Sequence, residues 1–357
     1  MVTIKQIAQE LHISPSTVSI VLGGKGAERK ISQETQKRIF DTAAAMGYQP
    51  NIAARSLRGG VGADELQIAM FWAQDFRASM MVRFWDGLRH ALEAQQRPIR
   101  LVIYPYNNDH LRDIRALTSA SDCHAAIICN ASYADLQFLQ DTQLAIPVVL
   151  YNRECPGYCS VIVDDAAMGA LAARALTDQG CKTAAILTSP PVFEGMTVRA
   201  QGFALEGGRH GMEMPATLFC ENSIRGGCEA VRRRLASSWK AAMPEGLFCG
   251  SAMIGHGVIR ALWESGLPRE KWPKLVAVGN GNEDQDQNSV PSLSVVHLPM
   301  EEMAGECLRL LLALMAGEIP APATRMLKIF YRPRESCGPL SQPAAETAEI
   351  LSGSSNV

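Results

Sequence analysis

The sequence predicts a chain of mixed class: a short all-α head carrying a helix-turn-helix, then an α/β body in two lobes. Three observations carry that expectation. Two compact helical stretches joined by a tight turn occupy the first 22 residues. From Leu66 onward, short apolar runs of strand character alternate with amphipathic stretches of helical period, the pattern of parallel sheets covered by helices on both faces. That body runs to about 300 residues, more than one hydrophobic core comfortably holds.

The head assembles in order along the chain. Ile4, Ile7, Ala8 and Leu11 repeat at helical spacing, and Thr3 with Gln6 has the spacing of a capping box. Ser14 can cap a second helix with Pro15 at its first position, where the missing N–H costs nothing. Val18, Val21 and Leu22 then face inward, which leaves Pro15, Ser16, Thr17, Ser19 and Ile20 outward. A helix of that size fits the DNA major groove, so those side chains are candidates for base edges and phosphates. Thr3 and Lys25 join them, Lys25 from the long loop Gly23–Lys30. Pro15 and Ile20 are apolar, so contact with thymine methyls is the expected direct readout. His12 stands in the turn, and histidine tolerates a left-handed backbone better than most residues. A third helix, capped by Ser32, runs Gln33 to Met46 and stops at Gly47. Beyond Pro50 a short helical run ends at Gly59 and Gly60; so short a helix is marginal alone in water.

In the body, the strand candidates are Gln67–Phe71, Arg100–Tyr104, Ala125–Cys129, Val148–Tyr151, Ala184–Leu187, Leu247–Cys249, Leu275–Val278 and Ser294–Val296. Helices are expected over Met80–Gln95, Asp165–Gln179, Val198–His210, Ser251–Ser265 and Met300–Ala316, several of them stopped by glycine.

Charge is unevenly placed. Residues 1–60 hold eight basic and four acidic side chains, a net +4, so a chain of net −2 leaves −6 on the rest. A basic head on an acidic body suits a protein that docks one end on phosphate. No apolar run reaches the roughly 18 residues of a membrane span, and no charged-then-apolar leader opens the chain, so a cytoplasmic location is expected. The ten cysteines lie scattered in apolar stretches, as buried thiols do. Cys155 and Cys159 lack a second ligand pair, and the seven histidines form no metal motif, so no metal and no cofactor are expected. Gly279-Asn280-Gly281 lacks the third glycine of a dinucleotide loop, and Glu283, Asp284 and Asp286 follow it in place of a helix start. Gly23-Gly24-Lys25-Gly26 lacks phosphate-loop spacing. No nucleophile, base and orienting group form a set, so an enzyme is not expected.

Two motifs in sequence, Ala8…Ser14-x-x-Thr17-Val18-Ser19 and Gly47-Tyr48-x-Pro50-Asn51-x-x-Ala54-x-x-Leu57, resemble the lactose/galactose repressors, the LacI/GalR family, over Thr3 to about Cys337. The resemblance implies a ligand-responsive regulator of transcription, a repressor, that binds a pseudo-palindromic DNA operator as a homodimer. It implies a DNA-binding head at 1–49, a hinge helix at 50–60 and a periplasmic-binding-protein-like effector core at 61–337. In that pattern residues 64–160 and 293–322 form the lobe nearer DNA, and residues 161–292 and 323–337 the distal lobe. Paired hinges would place Asn51, Ala54, Leu57 and Arg58 at the minor groove, with Leu57 as a wedge that kinks the duplex. Residues 338–357, rich in Pro, Ala and Ser and without a leucine heptad, are expected to be a flexible tail, which favours a dimer over a tetramer.

The same resemblance implies an effector cleft between the lobes. Arg199 matches the family's ligand-contacting arginine. Asn152 stands at a family aspartate, Cys249-Gly250-Ser251 replaces its Ala-Asn-Asp, and Gly279-Asn280-Gly281-Asn282 replaces its Gly-Tyr/Phe-Asp-Asp, so several partners for sugar hydroxyls are missing. Near the first strand, Trp72 and Phe76 would stack on a ligand ring, and Arg77 with Arg199 would hold a carboxylate or phosphate. The expected effector is a sugar, sugar derivative or anionic metabolite rather than a plain neutral monosaccharide. A solute-binding protein of a transport system would share the body's architecture, but head and hinge argue against it.

Overall fold

The computed structural model describes residues 4–22, 26, 29–46, 65–75, 77, 80–95, 97–118, 123–142, 144, 146–214 and 217–341. The head contains α1 (Ile4–Leu11), α2 (Pro15–Leu22) and α3 (Gln33–Ala45). Ile7, Ala8, Val18, Val21, Ile39 and Ala43 close its core. The Ser14 hydroxyl accepts the Thr17 N–H at 3.0 Å and the Ser32 hydroxyl that of Thr35 at 3.2 Å, so both expected caps form. His12 adopts φ 53°, the left-handed turn expected of it.

The body contains two six-stranded sheets. The first comprises β1 (Leu66–Ala73), β2 (Ile99–Tyr106), β3 (Ala125–Cys129), β4 (Val148–Tyr151), β5 (Cys159–Val163) and β11 (Thr324–Leu327), in the order β11-β5-β4-β3-β1-β2. The second comprises β6 (Ala184–Thr188), β7 (Thr217–Phe219), β8 (Gly246–Cys249), β9 (Lys274–Gly279), β10 (Ser294–His297) and β12 (Phe330–Arg332), in the order β12-β10-β9-β8-β6-β7. The sheets share one winding; among the described strands only β12 runs antiparallel to its neighbour. Their central strands are buried throughout, as parallel strands covered on both faces must be.

The helices follow as α4 (Met81–Glu93), α5 (Arg115–Thr118), α6 (Tyr133–Asp141), α7 (Asp165–Asp178), α8 (Glu194–Arg209), α9 (Ile224–Leu235), α10 (Ala252–Glu264), α11 (Glu283–Asn288) and α12 (Met300–Ala316). In the first lobe α12 packs on α4 and across β3, β4, β5 and β11; in the second α7 packs on α8 and across β8, β9, β10 and β12. Both helix pairs touch backbone to backbone. A Cβ on Gly87 of α4 would lie 2.0 Å from the Glu301 carbonyl, and one on Gly202 of α8 would lie 2.2 Å from that of Ala166.

Three expectations need correcting. The lobe boundaries shift: β5 extends the first lobe to Val163, β10 pairs in the second sheet, and β11 returns to the first. Strand pairing between residues distant in sequence sets these crossings, and local pattern does not display it. Glu283–Asn288 is a helix after all, with the Asn282 side chain accepting the Asp284 N–H at 2.9 Å and acidic residues in its first turn, where the helix dipole favours them. The helix expected at Val198 begins at Glu194. All ten cysteines are buried and free of disulfides.

Candidate effector cleft and DNA-contacting head

The cleft forms where ligand sites of wound α/β sheets form, beyond the carboxyl ends of the strands. Each lobe delivers residues from equivalent strand ends. Asn130 follows β3 and Gly250 follows the corresponding β8; Asn152 follows β4 and Asn280 the corresponding β9. Asn130 and Asn152 take left-handed φ values of 64° and 50°, a conformation asparagine tolerates better than most residues. Ser132 and Ser251 then cap the helices that leave β3 and β8. At Gly250 a Cβ would meet the Thr188 hydroxyl at 2.4 Å, so this corner needs glycine.

Arg77, Asn152, Arg199, Gly250 and Asn280 line one cavity, together with Asn130, Tyr151, Arg153, Phe193 and Asn222. Five expected effector residues therefore converge. Trp72 does not line this cavity. It shares the face of β1 with Ile68 and Met70, so strand alternation turns it into the first lobe's core, where it packs on Phe84 and Tyr151. Phe76 lies outside the described residues.

Three guanidinium groups set the electrostatics. Arg77 is 2% exposed; its Nε and Nη2 donate to Asp75 at 2.5–3.0 Å and its Nη2 to Asn108 at 2.8 Å. Burial raises the Asp75 carboxyl, but the hydrogen bonds and charge of Arg77 outweigh it and hold the group below its ordinary 3.8. Arg199 donates from Nε to Asp165 at 2.5 Å and keeps a buried Nη2 without a partner. The backbone contact of α7 with α8 fixes both ends of that pair.

Arg153 differs. It donates from Nε to the Ala131 carbonyl at 2.7 Å and from Nη1 to that of Asn152 at 2.5 Å, while its Nη2 is buried without a partner. Its guanidinium carbon sits 3.5 Å above the Phe193 ring, which Arg199 approaches at 5.7 Å. Burial first, and the charge of Arg77 next, pull Arg153 down from 12.5 to about 9, so it stays a cation at neutral pH.

Sequence reasoning did not assign Asn130, Arg153, Phe193 or Asn222. Phe193 left one signal: it occupies the N-cap of α8 with no side-chain cap, a place that Ser, Thr, Asp or Asn usually takes. With the helix start misplaced, that signal was hidden.

A fourth arginine ties the lobes together. Arg83 on α4 reaches across to the Gly279 carbonyl at 3.0 Å and the Gly281 carbonyl at 3.3 Å, the residues flanking Asn280. Glu301 of α12 grips the same guanidinium at 2.5 and 2.6 Å. Among the described residues the one convergent metal-ligand set is His297, Glu301 and Glu302, and there Arg83 already supplies the cation.

In the head, Pro15 and Ser16 are exposed, and Thr17, Ser19 and Ile20 are half-buried outside the core, as the helical period requires. These five form one end of α2 that a major groove can receive. Thr3, Lys25, Asn51, Ala54, Leu57 and Arg58 lie outside the described residues.

Comparison with known proteins agrees at both ends. The family described as "Periplasmic binding protein-like domain" matches residues 152–337, and "Bacterial regulatory proteins, lacI family" matches residues 3–51. The crystal structure of a LacI family transcription regulator from Clostridium acetobutylicum superimposes with TM-score 0.69 at 30% identity, over 74% of this chain and 98% of that one. The transcriptional regulator GalS of Salmonella typhimurium is 24% identical over 336 residues, 91% of this chain and 93% of its own. The lac repressor dimer bound to operator and the anti-inducer ONPF shares the fold, with TM-score 0.67 at 16% identity over 95% of this chain and 99% of that one. The chain belongs to the LacI/GalR family of transcriptional regulators.

Proposed function

We propose that the protein is a repressor that binds a pseudo-palindromic operator as a homodimer and changes its DNA affinity when a small molecule enters the cleft. One observation carries this reading: a helix-turn-helix with its outward end free of the core shares a chain with a two-lobed cleft whose polar groups come from both lobes. A ligand touching Asn280 pulls on the loop whose flanking carbonyls Arg83 holds, so binding and lobe closure are linked. Closure then reaches the head through the segment 50–60, where Leu57 is the proposed minor-groove wedge. The lac repressor, with operator and anti-inducer in one solved dimer, gives the precedent. The proposed action on DNA implies a cytoplasmic location. Among the described residues no helix is long and apolar enough to cross a membrane. The reading assigns the cleft to binding rather than catalysis and requires no cofactor or metal besides the effector. A transporter's solute-binding protein would share the lobes but have no use for the head.

Selection of bound fragments from a random duplex pool tests the proposal. An enriched palindrome with a flexible central step is expected. Recovery of unselected sequence, with and without cell-extract metabolites, would overturn it.

A further inference from the structure

We propose that the effector is a small molecule bearing an oxyanion, a carboxylate or phosphate, whose negative charge is the missing counter-ion of Arg153. The proposal rests on the regulator reading only in calling that molecule the effector.

Of the three guanidinium groups at the cleft, Arg77 has Asp75 and Arg199 has Asp165. No carboxylate among the described residues contacts Arg153; Asp165, already paired with Arg199, reaches it only as a charge at a distance. It is 5% exposed, and its hydrogen bonds go to two neutral carbonyls. A cation stripped of water and left without opposite charge is strongly unfavourable, and chains keep one where a partner completes it. The Nη2 of Arg153 and that of Arg199 are both buried and unpartnered, and both guanidinium groups lie over the Phe193 ring, at 3.5 and 5.7 Å.

The rest of the lining points the same way. Among the described residues no acidic side chain lines the cavity. The Asn222 amide oxygen accepts from the Ser251 hydroxyl at 2.6 Å, and that of Asn280 from the Ala252 N–H at 3.3 Å, so both amides offer N–H groups. Asn130 Nδ2 and the Tyr151 hydroxyl are buried without partners. The cleft is thus rich in donors. A neutral polyol would bury its own hydroxyl protons against it with few acceptors, whereas a carboxylate or phosphate accepts from every side. Arg77, already neutralised by Asp75, is not the anchor.

The test measures the melting temperature of the full-length protein at constant ionic strength, titrated separately with inorganic phosphate, malonate, glucose 6-phosphate, galacturonate, glucose and galactose. At least one acid is expected to give a saturable rise, roughly 4 °C at saturation, that its neutral parent sugar does not. The phosphate and carboxylate arms distinguish the two sources of the oxyanion. Arg153→Met should abolish the rise and Arg153→Lys keep part of it, while Arg225→Met, on an exposed α9 arginine, should leave it intact. If Arg153→Met does not fold, the Arg153→Lys comparison carries the test, with an unchanged midpoint concentration counting against the proposal. A saturable response to the neutral sugars alone, or to none of the acids, would overturn it. Random-duplex selection on the same preparation separates the readings: an acid response without operator enrichment sinks the regulator and leaves the oxyanion site standing.

Discussion

The two lobes are wound alike yet contribute unlike chemistry to the space between them. Strand for strand, β3 corresponds to β8 and β4 to β9, and each pair ends at the cleft. The first lobe ends these strands in left-handed asparagines and supplies Arg77 and Arg153. The second ends them in Gly250 and Asn280 and supplies Phe193 and Arg199. A shared winding fixes where ligand-facing residues emerge, while the residue types at those corners decide what is bound. The helix pairs show the same division: α4 against α12 and α7 against α8 both touch through glycine, but only the second pair carries a cleft arginine.

The equivalence of the helix pairs can be broken directly. Gly202→Val in α8 and Gly87→Val in α4 each force a side chain into backbone, and each should cost about 3 kcal/mol in urea unfolding. Gly202→Val should also weaken ligand response through Arg199, and Gly87→Val through the Arg83–Glu301 contact. Equal stability with no loss of response would deny that these contacts position the site.

Cutting the tie between the lobes comes next. Arg83→Met removes the hydrogen bonds to Gly279, Gly281 and Leu298 and should cost about 2 kcal/mol. Small-angle scattering should then report a more open molecule, and an unchanged profile would show that Arg83 does not hold the lobes.

The lobes should also differ in acid. Burial raises the Glu301 carboxyl, and the bonds and charge of Arg83 hold it below its ordinary 4.5; Asp75 is likewise held below 3.8. Carboxyls lowered by folding contribute stability that is full above those values and lost as pH falls through the folded ones. His297, in the second sheet, is lowered from 6.5 by burial and then by the Arg83 charge. Its contribution is full above 6.5 and is lost as pH falls through its lower folded value. His124, in the first lobe, is also lowered from 6.5 by burial and adds to the same range. Unfolding free energy should therefore drop first in the range below 6.5 and again below about 4; His297→Gln should shrink the first drop and leave the second. A profile in which that variant keeps the first drop undiminished would remove His297 from the account.

The smallest effect belongs to the head. Ile20→Ala, outside the core, should change stability by less than about 0.5 kcal/mol while altering the selected base sequence.

Much of this was legible in the residues. Expectation and structure agree residue for residue at β3, β4 and α12, where apolar runs are fully buried or periodic. The strands that escaped notice include the edge strands β7, β11 and β12, short and largely exposed, whose apolar pattern is weak. In the cleft, Arg199 and the strand-end positions followed from motif spacing. Trp72 misled because composition suggested a platform and the period-two face of β1 sent it inward. Arg153 stood in plain view beside Asn152, but that no carboxylate among the described residues contacts it is a three-dimensional fact.

The most direct test of the linkage is the dissociation constant for the selected palindrome, measured with and without small metabolites from cell extract, for the wild type and Arg153→Met. The account predicts a change of about tenfold or more in the wild type and none in the variant. An affinity indifferent to metabolites in both proteins would contradict it.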